Sequence, residues 1–422
     1  MRAMKDSGVE WIGEIPEGWS VAPLKVAIQW KSEKGQPDAE VLSLYRDYGI
    51  LPKDSRDDNH NVTSLDTGAY KVVSVGDLVV NKMKAWQGSL AVSTFSGIVS
   101  PAYHVCKITS SAVNKKYLHY LLRNQAYLPE YTRLSTGMRV GQWDLGFDDF
   151  KNIPFLLPPP TEQQRIAAYL DEQCGEIDKV LAKTRESIEE YKKLKQSVIT
   201  EAVTKGIRPN RPMKPSGIEW IGDIPAEWEV VKLKRLAKIE TGNTPPKNSE
   251  SIFFSRESGY LWIKAENLGS TKSIEETTEY LTEEGIKHGR LFPAHSVFVC
   301  CIASVGKVGF CSKAASCNQQ INALSFTNAH WKYGFYLTVA QETEYLLYAS
   351  GNVMKIINSE KQSNLMCPLP QLAEQAEIVA YLDQQCAEID RLIAKKEQII
   401  TELESYKKSL IYECVTGKRE VE

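Results

Sequence analysis

No stretch of about 18 apolar residues occurs anywhere in the 422-residue chain, so it has no segment of the length that a bilayer-spanning helix requires. The N-terminal MRAMKDSGVEWIG has no apolar signal core either. An excess of one charge is also missing. The 51 Lys and Arg stand against 53 Asp and Glu, a formal charge of -2, so no polybasic tail advertises a nucleic-acid or membrane partner and any such surface has to be local. Nine cysteines include the adjacent Cys300 and Cys301, but no C-x-x-C and no Cys/His cluster with zinc spacing. They read as reduced, buried thiols. These absences predict a cytoplasmic protein with no membrane contact.

Catalytic signatures are absent as well. Gly306-Lys307 lacks the earlier glycine of a phosphate-binding loop, and Gly417-Lys418 is followed by Arg419, so neither cradles a nucleotide. There is no G-x-G-x-x-G, H-E-x-x-H or G-x-S-x-G, nor the Asn/Asp-Pro-Pro-aromatic tetrapeptide of an adenine methyltransferase. Pro37-Asp38 is followed by no acidic-x-Lys triplet in the next thirty residues, so it does not open a nuclease motif. The six histidines, at 60, 104, 119, 288, 295 and 330, are scattered, and no histidine base or metal site is expected.

What the chain does have is a repeat. Its length exceeds what one hydrophobic core serves, and 42% apolar with 25% charged residues is the profile of a globular protein. Residues 7–25 (SGVEWIGEIPEGWSVAPLK) match 216–234 (SGIEWIGDIPAEWEVVKLK) at 12 of 19 positions. Residues 157–183 (LPPPTEQQRIAAYLDEQCGEIDKVLAK) match 369–395 (LPQLAEQAEIVAYLDQQCAEIDRLIAK) at 16 of 27. Between these frames lie fillings of similar length, 26–156 and 235–368, with little in register between them. The frame repeats and the filling differs.

The closing segments read as long helices. From Thr161 to Thr204 the only glycine is Gly175 and there is no proline, a run of about 66 Å as a rod. Seam positions recur at steps of three and four through Cys174, Ile177, Leu181, Thr184, Ile188, Tyr191, Lys195, Val198 and Ala202, and in the second copy through Cys386, Ile389, Ile393, Lys396, Ile400, Leu403, Lys407, Leu410 and Cys414. Paired antiparallel, such seams form a two-helix coiled coil that brings Ser7 near Gly417 and Ser216 near Lys205. The predicted fold is α+β: two strand-rich globular domains separated by two long helices, with a pseudo-two-fold internal repeat. Its divisions are 1–156 (first domain), 157–208 (central helical spacer), 209–368 (second domain) and 369–422 (C-terminal helical spacer).

Charge placement points to a ligand. Residues 78–129 and 285–341 contain no Asp or Glu but keep lysines and arginines, as a groove for a DNA backbone requires. Within and beyond these windows sit side chains suited to phosphates and base edges: Lys82, Lys84, Trp86, Gln87, Arg139 and Gln142 in the first half; Lys307, Asn318, Gln319, Gln320, Asn322, Asn352 and Lys355 in the second. Arg139 in STGMRVGQW and Lys355 in SGNVMKI follow similar Ser-(Thr-)Gly loops. The helices also share polar residues off the seam: Glu162/Glu374, Gln163/Gln375, Asp171/Asp383, Glu176/Glu388 and Asp178/Asp390. These ten are expected to form two equivalent docking surfaces for a partner chain.

The pattern resembles the specificity subunit of type I restriction-modification enzymes, over nearly the whole chain. The resemblance rests on the W-I-G-x-I-P-x-x-W openings at Trp11 and Trp220, on LPPPTEQQRI at 157–166 with its copy LPQLAEQAEI at 369–378, and on SxGxVG and NQxI at 304–309 and 318–321. It implies two target-recognition domains, each reading half of a bipartite, asymmetric double-stranded DNA site, with helices that fix a half-site spacing near one DNA turn, roughly 34 Å. It further implies two modification subunits that carry S-adenosylmethionine and methylate adenine, and restriction subunits that use ATP and Mg to cut DNA. This chain would then be non-catalytic and hold no cofactor or metal. A stand-alone DNA-binding or decoy protein, and a coiled-coil interaction scaffold, are the alternative readings.

Overall fold

The computed structural model of the chain describes residues 2–46, 48–56, 67–137, 143–246, 250–351 and 354–421. Contacts group the chain into two units, Met1–Thr184 with Gln398–Glu422, and Arg185–Glu397. Each holds one opening segment, one filling and a stretch of both long helices. The central helix spans Pro160–Lys205 and the closing helix Leu372–Val415, close to the limits their glycine- and proline-poor sequences predict. All nine cysteines are buried and unpaired.

In the first unit the helices run antiparallel. Lys407 Nζ bonds Asp178 at 2.6 Å, while the Val415 carbonyl, eight residues on, accepts from Tyr117 Oη near the start of the central helix. Cys174, Ile177 and Leu181 share a core with Leu410 and Cys414. The second unit repeats this with the helices exchanged: Lys195 bonds Asp390 at 2.7 Å, and the Val203 carbonyl accepts from Tyr333 Oη. Ile199, Ala202 and Val203 pack there with Leu382 and Cys386. A fully buried aliphatic side chain contributes about 1.5–3 kcal/mol, so these seams supply much of the helices' stability.

The opening segments explain their own recurrence. Ser20–Pro23 pairs with Pro154–Leu157, and Glu229–Lys232 with Met366–Leu369, so each opening is hydrogen-bonded to the strand that enters a helix. Trp19 and Trp228 are fully buried and donate Nε1 to Glu162 at 3.0 Å and to Glu374 at 2.9 Å. Gly417 (φ +74°) lies so close to Pro16 that an added Cβ would stand 2.4 Å from the ring, and Gly206 (φ +73°) is pressed against Arg211 and Trp228. The expected approach of each helix end to an opening segment is therefore present within each unit.

The fillings, unlike in sequence, share the topology of one four-stranded sheet. In the first, β1 (Ile28–Lys31), β2 (Asp77–Asn81), β3 (Leu90–Val92) and β4 (Tyr103–Ile108) form a sheet of order β1-β4-β2-β3. In the second, β5 (Ala237–Thr241), β6 (Val297–Cys300), β7 (Val308–Phe310) and β8 (Ile321–Phe326) form β5-β8-β6-β7. All pairs are antiparallel. The inner strands β2 and β6 are buried almost throughout, which is why DLVVN and VFVC read as continuous apolar runs rather than alternating ones.

Candidate nucleic-acid interface

Both sheets present the same junction at one end of their two inner strands. In the first unit the β2–β3 loop starts at Lys82, whose N–H donates to the Ala102 carbonyl at 3.3 Å just before β4. The Lys82 carbonyl accepts from Leu145 N at 3.0 Å. Leu145 ends a small hairpin in which Ser135–Thr136 pairs with Asp144–Leu145. In the second unit Cys301 takes the place of Lys82. Its N–H donates to Gln320 O at 2.7 Å and its carbonyl accepts from Ile357 N at 3.0 Å. A bridge between Ser350 and Ile356 makes the matching hairpin. Lys355 lies on the arm 354–356 of this second hairpin, next to Ile356.

Around the first junction, Lys82 Nζ bonds Asp144 at 2.7 Å. Trp86 meets Trp143 edge-on with ring centres 5.2 Å apart, and its Nε1 donates to Met83 O. Lys84 is exposed and Gln87 half-buried on the same loop. Arg139 and Gln142 lie outside the described residues, as does Asn352 in the second half. Three participants left no signal in the sequence. Asp144 reaches Lys82 across 62 positions. Lys71 donates to the Tyr103 carbonyl and sits 5.2 Å from the Trp30 ring. Burial, followed by the charges of Lys82 and Lys34, pulls the Lys71 ammonium below the usual lysine range.

Around the second junction, Lys355 is exposed and its carbonyl accepts from Ala303 N at 3.0 Å. Asn318, Gln319 and Gln320 precede β8 and line a cleft of about 290 Å³ with Thr244, Phe254 and Trp262. Lys307 stands apart from them. It lines a separate recess in the same unit with Lys192, Lys195 and Lys272 of the helix and the 269–272 loop.

The structure redistributes other expected residues. Asn322 does not face solvent: it is buried, accepts from Thr241 and donates to Gln362 at 2.6 Å, so it holds β5 to β8 instead of offering an amide to a base. Several cations of the acid-free windows are engaged within their own unit. Lys116 and Lys332 bond Asp171 and Asp383 of the long helices, Arg123 donates to the carbonyls of Leu90 and Arg46, and Arg290 donates to Thr241 O. These cations are spent on internal contacts.

Internal bonds also account for the recurring polar residues of the helices. Glu162 and Glu374 are buried acceptors for the opening tryptophans and for Arg2 and Arg211. Gln163 and Gln375, also buried, accept from Asn114 N and His330 N. Asp171 and Asp383 each take a tyrosine hydroxyl, from Tyr120 and Tyr336, beside their lysines. Asp178 and Asp390 form the interhelical ion pairs. Burial takes Glu162, Gln163, Glu374 and Gln375 out of reach of a second chain, which narrows the expected docking surface. Glu176 and Glu388 remain exposed, and Glu176 accepts an i,i+3 bond from Lys179.

Two copies of one scaffold with unlike loops at the ends of the inner strands match a known architecture. A family model described as the type I restriction modification DNA specificity domain fits residues 34–190 and again 225–405. The chain belongs to that family. The specificity subunit of the type I restriction enzyme MjaVIII from Methanocaldococcus jannaschii is 26% identical over 425 residues, covering 96% of this chain and 93% of the relative. The EcoDI specificity subunit of Escherichia coli is 22% identical, with 96% and 90% covered. A solved chain from a study of complex assembly and conformational transition of the type I R-M system covers 96% of this chain and 99% of its own length at TM-score 0.70 and 18% identity, and shares the fold. Among the described residues of this specificity subunit, no helix is long and apolar enough to cross a membrane.

Proposed function

We propose that this specificity subunit reads a bipartite, asymmetric double-stranded DNA site, one half per unit, and so directs adenine methylation and ATP-dependent restriction carried out by partner subunits in the cytoplasm. The observation that carries the reading is the pairing of one sheet topology and one three-segment junction with two unlike sets of side chains. Lys82, Lys84, Trp86 and Trp143 occupy the first junction, and Asn318, Gln319, Gln320 and Lys355 the second. A common scaffold sets where the duplex lies, and different side chains at the same place read different bases.

The chain itself supplies no chemistry. S-adenosylmethionine would belong to two modification subunits, and ATP and Mg to restriction subunits. Glu176 and Glu388, exposed at equivalent positions of the two helices, are the recurring carboxylates best placed to dock the modification subunits. Reversing both charges should weaken co-purification of those subunits, and unchanged assembly would remove this assignment.

The function is tested by sequencing methylated adenines in a host that carries this chain with its modification subunit. A split motif that disappears with the chain is expected. Methylation without a motif, or none that depends on the chain, would favour a scaffold or a stand-alone DNA-binding protein.

A further inference from the structure

The cleft of the second unit has a chemistry that groove reading alone does not call for. On one wall stand three consecutive amides. Asn318 is fixed there, its N–H bonded to Ile263 O and its Oδ1 accepting from Gln320 N at 3.0 Å. Gln319 is exposed, and its Oε1 accepts from the hydroxyl of Thr244 on the facing segment. The base of the cleft is aromatic, Phe254 and Trp262 meeting edge-on at 5.7 Å. Its two charged groups, Lys264 and Glu279, neutralise each other through a 2.5 Å bond. The cleft as a whole is therefore neutral, polar on one side and apolar below, a poor match for a phosphate and a good one for a flat, uncharged ring with hydrogen-bonding edges.

Size and shape narrow this further. At about 290 Å³ the cleft is at the lower limit of small-molecule pockets, so it holds one ring system and little more. A base edge in a B-form duplex lies recessed within a groove and is read by a protrusion, a helix or a ribbon. A concave site needs the opposite arrangement, a base that projects. The cleft also adjoins the second junction, since the Gln320 carbonyl accepts from Cys301 N.

We propose that the cleft takes a nucleobase turned out of the duplex at the half-site read by the second unit, its edge bonded by the exposed Gln319 and its ring lying against the half-buried Phe254. This rests on the DNA-reading function proposed above and adds that one base pair of the site is opened by this chain, apart from any opening at the methylated adenine.

The test uses the assembled complex and duplexes that carry 2-aminopurine, or a mismatch, at each position of the second half-site in turn. One position other than the methylated adenine should brighten several-fold on binding. A mismatch there should tighten binding by about tenfold, because the cost of unpairing has already been met. Gln319→Ala, at an exposed position, should remove both signals while the preference at the first half-site persists. Thr244→Val, which frees Gln319 from its anchor, should weaken them. Brightening confined to the methylated adenine, or signals that survive both substitutions, overturn the proposal. Failure of the DNA-reading function looks different: the unsubstituted complex would then show no preference at any position.

Discussion

Glu374 shows how one side chain ties frame to helix. Burial, the largest influence, would raise its carboxyl, yet hydrogen bonds from Arg211 and Trp228 and the charges of Arg211 and Arg208 outweigh it and hold the group below the usual carboxylate range. A depressed folded value means that the bond's contribution is whole above the unfolded carboxyl value of about 4.3 and is lost as pH falls through the folded one. Glu374→Gln should therefore cost about 2 kcal/mol in urea denaturation at pH 7, because it weakens the charge-assisted bonds from Arg211 and Trp228 while Arg211 keeps its pair with Glu227. The gap from the unsubstituted protein should close as the pH drops below about 4. The thiols give a second check. Burial pushes Cys106, Cys301, Cys311 and Cys367 up to about 12, so a thiol reagent at pH 8 should label none of the nine cysteines quickly until the protein unfolds. The sequence already carried the inert thiols, since no spacing offered them a metal or a partner. It did not carry the role of Glu374, because identity between repeats marks a residue as needed without saying whether it faces inward or outward.

The helices and the loops that rest on them differ between the units in one respect. Asp390 accepts from Lys195 and also from Thr271 Oγ1 at 3.0 Å, and Lys195 bonds Thr271 in turn. The 269–272 loop of the second filling is thereby fastened to both helices. Asp178, the counterpart, bonds Lys407 and is more exposed. Asp390→Ala should accordingly destabilise the second unit by about 2 kcal/mol, whereas Asp178→Ala should cost under about 1 kcal/mol, as measured by urea denaturation with hydrogen exchange to assign each loss to its unit. Helix limits and seam were legible because a run without proline, with apolar residues at steps of three and four, admits few other structures. The strands INALSF and VGDLVVNKM were legible by their β-branched content. The common sheet order was not, since antiparallel pairing depends on backbone bonds and a buried face that many unrelated apolar sequences satisfy equally.

At the scale of the whole molecule, the repeat divides labour between what is shared and what is not. Replacing residues 26–156 with the corresponding filling of a relative should change one half of the methylated motif and leave the other intact, as read by sequencing of modified adenines. Binding to a specific duplex should fall steeply with salt, and Lys84→Ala should lower the slope of log affinity against log salt by about one with the preferred sequence unchanged, a result that fluorescence anisotropy reads directly. The sequence by itself determined the duplication, the two long helices and the separation of constant frame from variable filling, because helical periodicity and near-identity act through neighbours along the chain. Only the tertiary structure decided which cations face inward, that Asn322 is a core residue while Asn318 and Gln319 line a cleft, and that the charges of Lys82 and Lys34 act on Lys71. Those outcomes depend on which loops the ends of the inner strands gather, and residues tens of positions apart meet there through backbone pairing that leaves little trace in side-chain pattern.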